Sequence, residues 1–441
     1  MAQPAPQDPP RHACPPVLQD PPHHAAPPSP VLIIGAGIVG LTLAQALRTF
    51  YPHVPFLVFE RDASPLARGA GWGLTLHWAL DHFLSLLPQH LVERLDGTFV
   101  DPDAARAGDG KFQLFDLRSG QVRWSVPPSR RIRVKRESLR RLLMDGIDVQ
   151  WSKSIASVTT TTTGVTVHFE DSTSASGALL LGCDGSRSRT RQILCPAAPR
   201  NTPLPVRLLG TSFACGKAKA EGLQKLDPFF FQGSDGETDA FLYFSFLDTP
   251  ASAPRKEGRY TCQCIVSWPY RAGFNGEAAP TDIPTSNAAR LALMRALSAG
   301  WTEPFRSILT DVPATTEARA ITLEDWAPTR DKWDNTDGRI TLLGDAAHAM
   351  TMYRGEAANH GIMDVKSLLA NLELYLSTSG TSESQSSKSL KDGIAAYEEE
   401  MIARTRPAVL ASRRACLDAH DRTRLTPDSP LLSKRAVVPD E

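Results

Sequence analysis

Polar and apolar positions change period several times along this chain, and each change marks an element. Residues 31–34 ("VLII") form an unbroken apolar run, and "GAGIVGLTLAQALRTF" after them switches to helical spacing. "PFLVFE" (55–60) is a second apolar run, so residues 31–60 predict a strand, a helix and a parallel strand. Helical spacing recurs over 77–95 and 136–144, and short strand patterns stand at 165–169 and 178–183. Between 206 and 270, "PFFFQ", "AFLYFSF" and "YTCQCIVSW" alternate with turn-rich links, which predicts a separate sheet. "TSNAARLALMRALSAGW" predicts a helix opened by a Thr or Ser cap. "RITLLGDAAHAM" (339–350) reads as a buried strand that stops at Gly344-Asp345 and opens a helix. Beyond it, "STSGTSESQSSKSLKDG" has the composition of a low-complexity loop, followed by a helix over 393–417 and a loose polar tail.

Gly35-Ala36-Gly37-Ile38-Val39-Gly40 follows a strand and opens a helix, the context a dinucleotide fingerprint needs. There Gly35 makes the tight turn, Gly37 admits a pyrophosphate to the backbone, and Gly40 lets helix and strand pack closely. Glu60, at the end of the second strand, is placed to accept both ribose hydroxyls of an adenosine, and its charge would repel a 2′-phosphate. The fingerprint alone leaves NAD and FAD open. Two more acid-glycine turns at strand ends, Asp184-Gly185 in "LLLGCDGSRSRTR" and Gly344-Asp345, exceed what a nicotinamide needs and suit a longer ligand.

Composition narrows the picture by exclusion. Lys plus Arg (48) equals Asp plus Glu (48), which argues against nucleic acid or an anionic membrane as a partner of the whole chain. Seven cysteines without a CxxC pair, and no clustered His and Cys, predict reduced thiols in a cytoplasmic protein and no metal. The longest apolar run, 31–47, is broken by glycines and makes a poor membrane span. The Pro-rich residues 1–30 predict a disordered tail. At 441 residues, more than one subdomain is expected.

The trio "GAGIVG", "GCDGSRSRTR" and "GDAAHAMTMYRGEAAN", in this order, resembles the FAD-dependent aromatic-hydroxylase-type monooxygenases, and among them fungal members of secondary-metabolite pathways. The resemblance covers about residues 31–372. It implies an α/β fold: a doubly wound, Rossmann-like FAD domain (31–196 and 335–372), an inserted β-sheet substrate domain (197–334), and a low-complexity loop with a C-terminal helix (373–420) before the tail (421–441). By the same resemblance Gly71 and Gly73 approach the flavin. Arg136 begins a helix near the ribityl-pyrophosphate. Asp184 and Gly185 line FAD and the reductant's approach, and Gly344 and Asp345 meet a ribityl hydroxyl or the pyrophosphate. Gly355 and Ala358 offer backbone near the isoalloxazine. Tyr243 is the candidate for hydrogen bonding to substrate, with core packing the plainer role, and His348 reads as structural.

The implied activity takes NAD(P)H and O₂ to hydroxylate, epoxidise or oxidatively rearrange an aromatic, polyketide- or terpenoid-like molecule. Two departures from the family pattern, Met352 in place of proline and Ala357 in place of glycine, keep an FAD-dependent dehydrogenase or redox-neutral cyclase as the alternative. A non-catalytic FAD-binding protein is the third reading. The oligomeric state stays open.

Overall fold

A computed structural model describes residues 29–67, 71–108, 110–127, 129–252, 260–330, 333–377 and 383–433. The expected disordered tail lies almost wholly outside the described residues. Val31–Ile34 becomes the centre of a five-stranded sheet ordered Ile340–Leu342, Leu179–Gly182, Val31–Ile34, Phe56–Phe59 and Val149–Gln150. Every neighbouring pair is parallel. Helices cover one face, and a three-stranded antiparallel sheet (Ile155–Thr160, Val165–Phe169, Ser174–Gly177) packs on the other, with the Phe59 and Phe169 rings 4.8 Å apart, so these strands are apolar throughout instead of alternating. The register sets Ile34 beside Gly182 and Phe59, and Gly182 beside Leu342. Four strands therefore end level, and the loops that follow open together at their carboxyl ends.

Two glycines are required by close approach at this edge. A Cβ on Gly35 (φ +106°) would stand 2.4 Å from the Cys183 carbonyl oxygen, and one on Gly40 would stand 2.1 Å from that of Gly35.

A seven-stranded sheet forms the second layer, ordered Arg319–Ala320, Val206–Cys215, Tyr260–Pro269, Phe241–Asp248, Phe230–Ser234, Phe112–Asp116 and Val122–Val126. The last two strands fall inside the stretch expected for the FAD domain. Phe112–Asp116 joins by parallel pairing with Phe230–Ser234, Leu114 beside Gln232. A local alternating pattern marks a half-buried strand but not the sheet that completes it, so sequence spacing could not assign this hairpin.

Three further differences have local causes. The helix expected over 77–95 breaks into Leu80–Ser85 and Gln89–Val92, because Pro88 lacks an N–H to continue the first. The final helix starts at Glu383, inside the expected low-complexity loop. Leu390, Ile394, Tyr397 and Met401 lie buried at helical spacing, and that packing outweighs the poor propensity of the serines around them. Residues 421–433, expected as loose, fold back and bury Leu425, Leu431 and Leu432. The helix braces both layers: Ile394, Tyr397 and Met401 pack with the parallel sheet, while Ala415 and Cys416 pack on the seven-stranded one.

The six described cysteines are buried and free. Among the described residues no helix is long and apolar enough to cross a membrane.

Tyr397 is fully buried and donates to the Leu342 carbonyl at 2.8 Å, whereas Leu410 on the same helix is 40% exposed. Tyr397→Ala is expected to cost about 3–5 kcal/mol in denaturant unfolding, and Leu410→Ala no more than about 0.5 kcal/mol. Equal losses would contradict the bracing role.

Candidate active site

A cavity of about 350 Å³ opens at the level strand ends. Gly37 precedes the helix Ile38–Phe50, which has no side-chain cap and no acid in its first turn, so its first N–H groups are left for a ligand. Nothing stands within 4 Å of the point a Cβ would occupy on Gly37 or Gly185. That bare backbone is a cradle of the kind a pyrophosphate fills. Arg61, Arg136, Arg140, Lys153 and Arg189 line the cavity together with Glu60, Asp184 and Asp345. This donor set, with cations for a diphosphate and carboxylates for hydroxyls, fits FAD.

Each acid is held differently. Glu60 accepts from the backbone N–H groups of Ala36 (2.9 Å) and Asp62 (3.1 Å), with Arg140 Nη2 at 3.6 Å. Asp184 accepts from Ser188 Oγ (2.5 Å) and from the N–H groups of Arg189 (2.8 Å) and Thr190 (3.1 Å), so its carboxylate caps the helix Arg189–Leu194. Arg191 on that helix is buried and donates to the carbonyls of Ser186 (2.6 Å) and Ala346 (3.0 Å), tying the Asp184 loop to the Asp345 loop. Asp345 is exposed into the cavity and crowded by protein elsewhere. That burial pushes its carboxyl above the ordinary range, against the attraction of His348, Arg136 and Arg191.

Beneath Asp345 lies a buried charge network. Asp364 accepts from the Gly344 N–H (2.6 Å) and from Arg404 Nη2 (2.8 Å), and His348 Nε2 is 2.6 Å from its second contact oxygen, the one Gly344 uses. Burial alone would raise the Asp364 carboxyl, but His348 and Arg404 more than offset it and hold it well below the carboxylate range. The Gly344-Asp345 turn is thus anchored from below.

A second cavity, of about 460 Å³, shares a wall with the first. In the strand Gly73–Leu76 successive side chains alternate: Leu74 lines the first cavity and Thr75 the second. The turn that follows Thr351 divides likewise, Met352–Gly355 facing the second cavity and Ala357 and Ala358 the first. Across the large sheet, Trp124, Leu114, Gln232 and Tyr243 lie side by side in register, and Phe230 stacks on Tyr243 at 5.9 Å and 27°. The opposite face, with Phe115, Phe231 and Phe244, is sealed in a separate core. The second cavity is flat-walled and aromatic, and its described lining holds Arg130, Arg131 and Arg354 but no carboxylate.

The structure gathers eight of the expected residues, Gly35, Gly37, Glu60, Arg136, Asp184, Gly185, Asp345 and Ala358, at the first cavity. Gly40 and Gly344 sit behind it, packed against Gly35 and Val39. Gly71 and Gly73 do not line it: Gly71 lies against the start of the helix Arg136–Leu143, and a Cβ on Gly73 would stand 2.2 Å from Arg133 Nη2. Strand alternation turns Gly73 away where it presents Leu74. Gly355 and Tyr243 line the second cavity instead. Arg140 went unrecognised, although its place four residues after Arg136 on one helix face was a readable signal. The Asp364 network was not readable, because its partners stand 16 to 40 residues apart.

A model of the FAD binding domain family matches residues 303–395. A probable FAD-dependent monooxygenase of Arthroderma benhamiae is 52% identical over 93% of this chain and 96% of its own. An FAD-dependent monooxygenase of Emericella nidulans is 40% identical over 78% of this chain and 86% of its own. Among solved structures, a salicylate hydroxylase substrate complex superposes with a TM-score of 0.67 at 19% identity, covering 91% of this chain and 90% of that one. A Klebsiella pneumoniae protein complexed with FAD and uric acid gives 0.67 at 22%, covering 89% of each. At these identities the solved structures share the fold.

The depressed Asp364 carboxyl gives the site a pH signature. Its contribution to stability is complete above the ordinary carboxylate value of ~4 and is lost progressively as pH falls below it. Asp364→Asn removes one of the two carboxylates that hold the buried Arg404, leaving Glu400 at 2.6 Å, and is expected to cost about 1.5–3 kcal/mol near neutral pH, with a shallower fall in stability on acidification. Urea unfolding across the acid range checks both; a variant with the parent's acid profile would refute the network's role.

Proposed function

The chain belongs to the FAD-dependent monooxygenases, and on that premise we propose that it uses NAD(P)H and O₂ to oxygenate an aromatic, polyketide- or terpenoid-like molecule in secondary-metabolite biosynthesis. The observation that carries the reading is the shared wall: one strand and one turn line both the cofactor cavity and an aromatic cavity. Bound FAD supplies electron transfer from the reductant and activation of O₂.

The chain's own residues bind, orient and exclude water. Backbone at Gly37 and the helix start behind it hold the pyrophosphate, with Arg136 and Arg140 as counter-charges. Glu60 accepts the adenosine ribose hydroxyls, and Asp345 accepts a ribityl hydroxyl. Backbone at Ala357 and Ala358 meets the ring system at the wall. On the other side Phe112, Trp124, Phe230 and Tyr243 clamp a flat substrate edge-on to that wall and keep bulk water from it. The Tyr243 hydroxyl orients a phenol or carbonyl. Ala357 is the first residue of the helix Ala357–Asn371, a conformation alanine takes without strain, so this departure does not weaken the oxygenase reading.

The test is the flavin spectrum of the purified protein, followed by NADPH and O₂ consumption with polyphenols. Yellow protein and matched substrate-stimulated consumption are expected. Asp345→Ala is expected to lose FAD and colour, while Phe230→Ala keeps FAD and raises KM. Conversion of substrate with neither NADPH nor O₂ consumed, leaving the flavin reduced (dehydrogenase) or unchanged (redox-neutral cyclase), would support the alternative reading instead.

A further inference from the structure

Arg133, on the strand Ile132–Lys135, is 2% exposed, and its hydrogen bonds all go to neutral oxygens. Nη2 donates to Ser245 Oγ (2.7 Å), Nη1 to Thr75 Oγ1 (3.0 Å) and Nε to the Phe246 carbonyl (3.3 Å). The guanidinium carbon lies 5.7 Å from the Phe230 ring centre and 5.9 Å from that of Tyr243, and both rings line the aromatic cavity. Gly73 is glycine where this guanidinium needs the room. Burying a guanidinium without a counter-ion is costly, and among the described residues no carboxylate stands in hydrogen-bond reach of it.

Thr75 connects this charge to the cavity. Its oxygen accepts from Arg133, so its own O–H points elsewhere, and among the described residues no acceptor receives it. Thr75 lines the aromatic cavity, one residue from Leu74 on the cofactor cavity. A hydroxyl polarised by a buried cation is a strong donor to an anion. The titratable groups of the described lining are His77, Arg130, Arg131, Tyr243, Tyr353 and Arg354, none of them a carboxylic acid.

We infer that the Thr75 hydroxyl, polarised by Arg133, holds an ionised ring oxygen of the substrate, a phenolate or enolate, at the wall between the two cavities. The inference rests on the aromatic cavity being the substrate's. Thr75 is the group that touches substrate and sets its ionised form; Arg133 is a positioning residue acting through it. An ionised ring oxygen enriches the neighbouring ring carbons in electrons and fixes which edge of the ring meets the wall.

The experiment titrates the FAD-loaded protein with 4-nitrophenol, whose ionised form is read in the visible difference spectrum, and with 4-nitroanisole, which cannot ionise. The parent is expected to bind the ionised phenol more tightly than the neutral one, lowering the probe's apparent pKa. Thr75→Val is expected to weaken phenolate binding by roughly tenfold or more, with 4-nitroanisole affinity and the flavin spectrum unchanged, and Thr75→Ser to restore it. Arg133→Met, if it folds, shifts the probe's pKa the same way. Equal losses for both probes in Thr75→Val, or a parent with no preference for the phenolate, would overturn the inference. If neither probe displaces a polyphenol that stimulates NADPH oxidation, the cavity assignment itself fails and takes the inference with it.

Discussion

Parallel pairing in one small sheet sets the conditions for everything built around it. Because Ile34, Gly182, Phe59 and Leu342 finish at one level, four loops from distant parts of the chain must share the same edge. The first of these loops leaves its strand with no side-chain room beside Cys183, which is why glycine stands at Gly35, and the helix behind it packs as closely at Gly40. The same edge leaves helix N–H groups and bare backbone facing the cavity, beside the guanidinium groups of Arg136 and Arg140. A shift of one residue in any of these pairings would turn the strand's side chains to the other face and move its loop off the edge.

Charges buried near this edge are organised to hold loops still. Asp184 spends its carboxylate on a helix start, Arg191 spends its guanidinium on two loops, and Asp364 gathers Gly344, His348 and Arg404. Arg191 and Asp364 act on the site through other residues, while Asp184 also lines it, and together they hold the Asp184 and Asp345 turns in place. The substrate side follows another logic. There the large sheet offers one aromatic face to a cavity and seals the other in a core, so period-two alternation alone produces a flat-walled slot.

The two layers are joined by segments with little distinctive composition. The long C-terminal helix packs its first half on the parallel sheet and its second half on the other. The segment after it returns to the aromatic cavity, where Leu432 and Ser433 form part of the lining and Arg354 donates to Ser433 at 3.0 Å and to the Pro430 carbonyl. A polar tail thus completes a pocket whose lining begins at Thr75, more than three hundred residues earlier.

Local chemistry is what the amino-acid order could determine by itself. Apolar runs, helical spacing and glycines at fixed offsets are properties of neighbouring residues, and they identified the strands at 31–34 and 55–60, the fingerprint, and the acid turns at Asp184 and Asp345. They did not reveal which sheet the 112–126 hairpin joins, that Leu74 and not Gly73 meets the cofactor cavity, or that Asp364 lies under Gly344. Those facts depend on strand register and on contacts between residues far apart in the chain. Only folding compares such residues, because the energy that places them belongs to the pair and not to either local stretch.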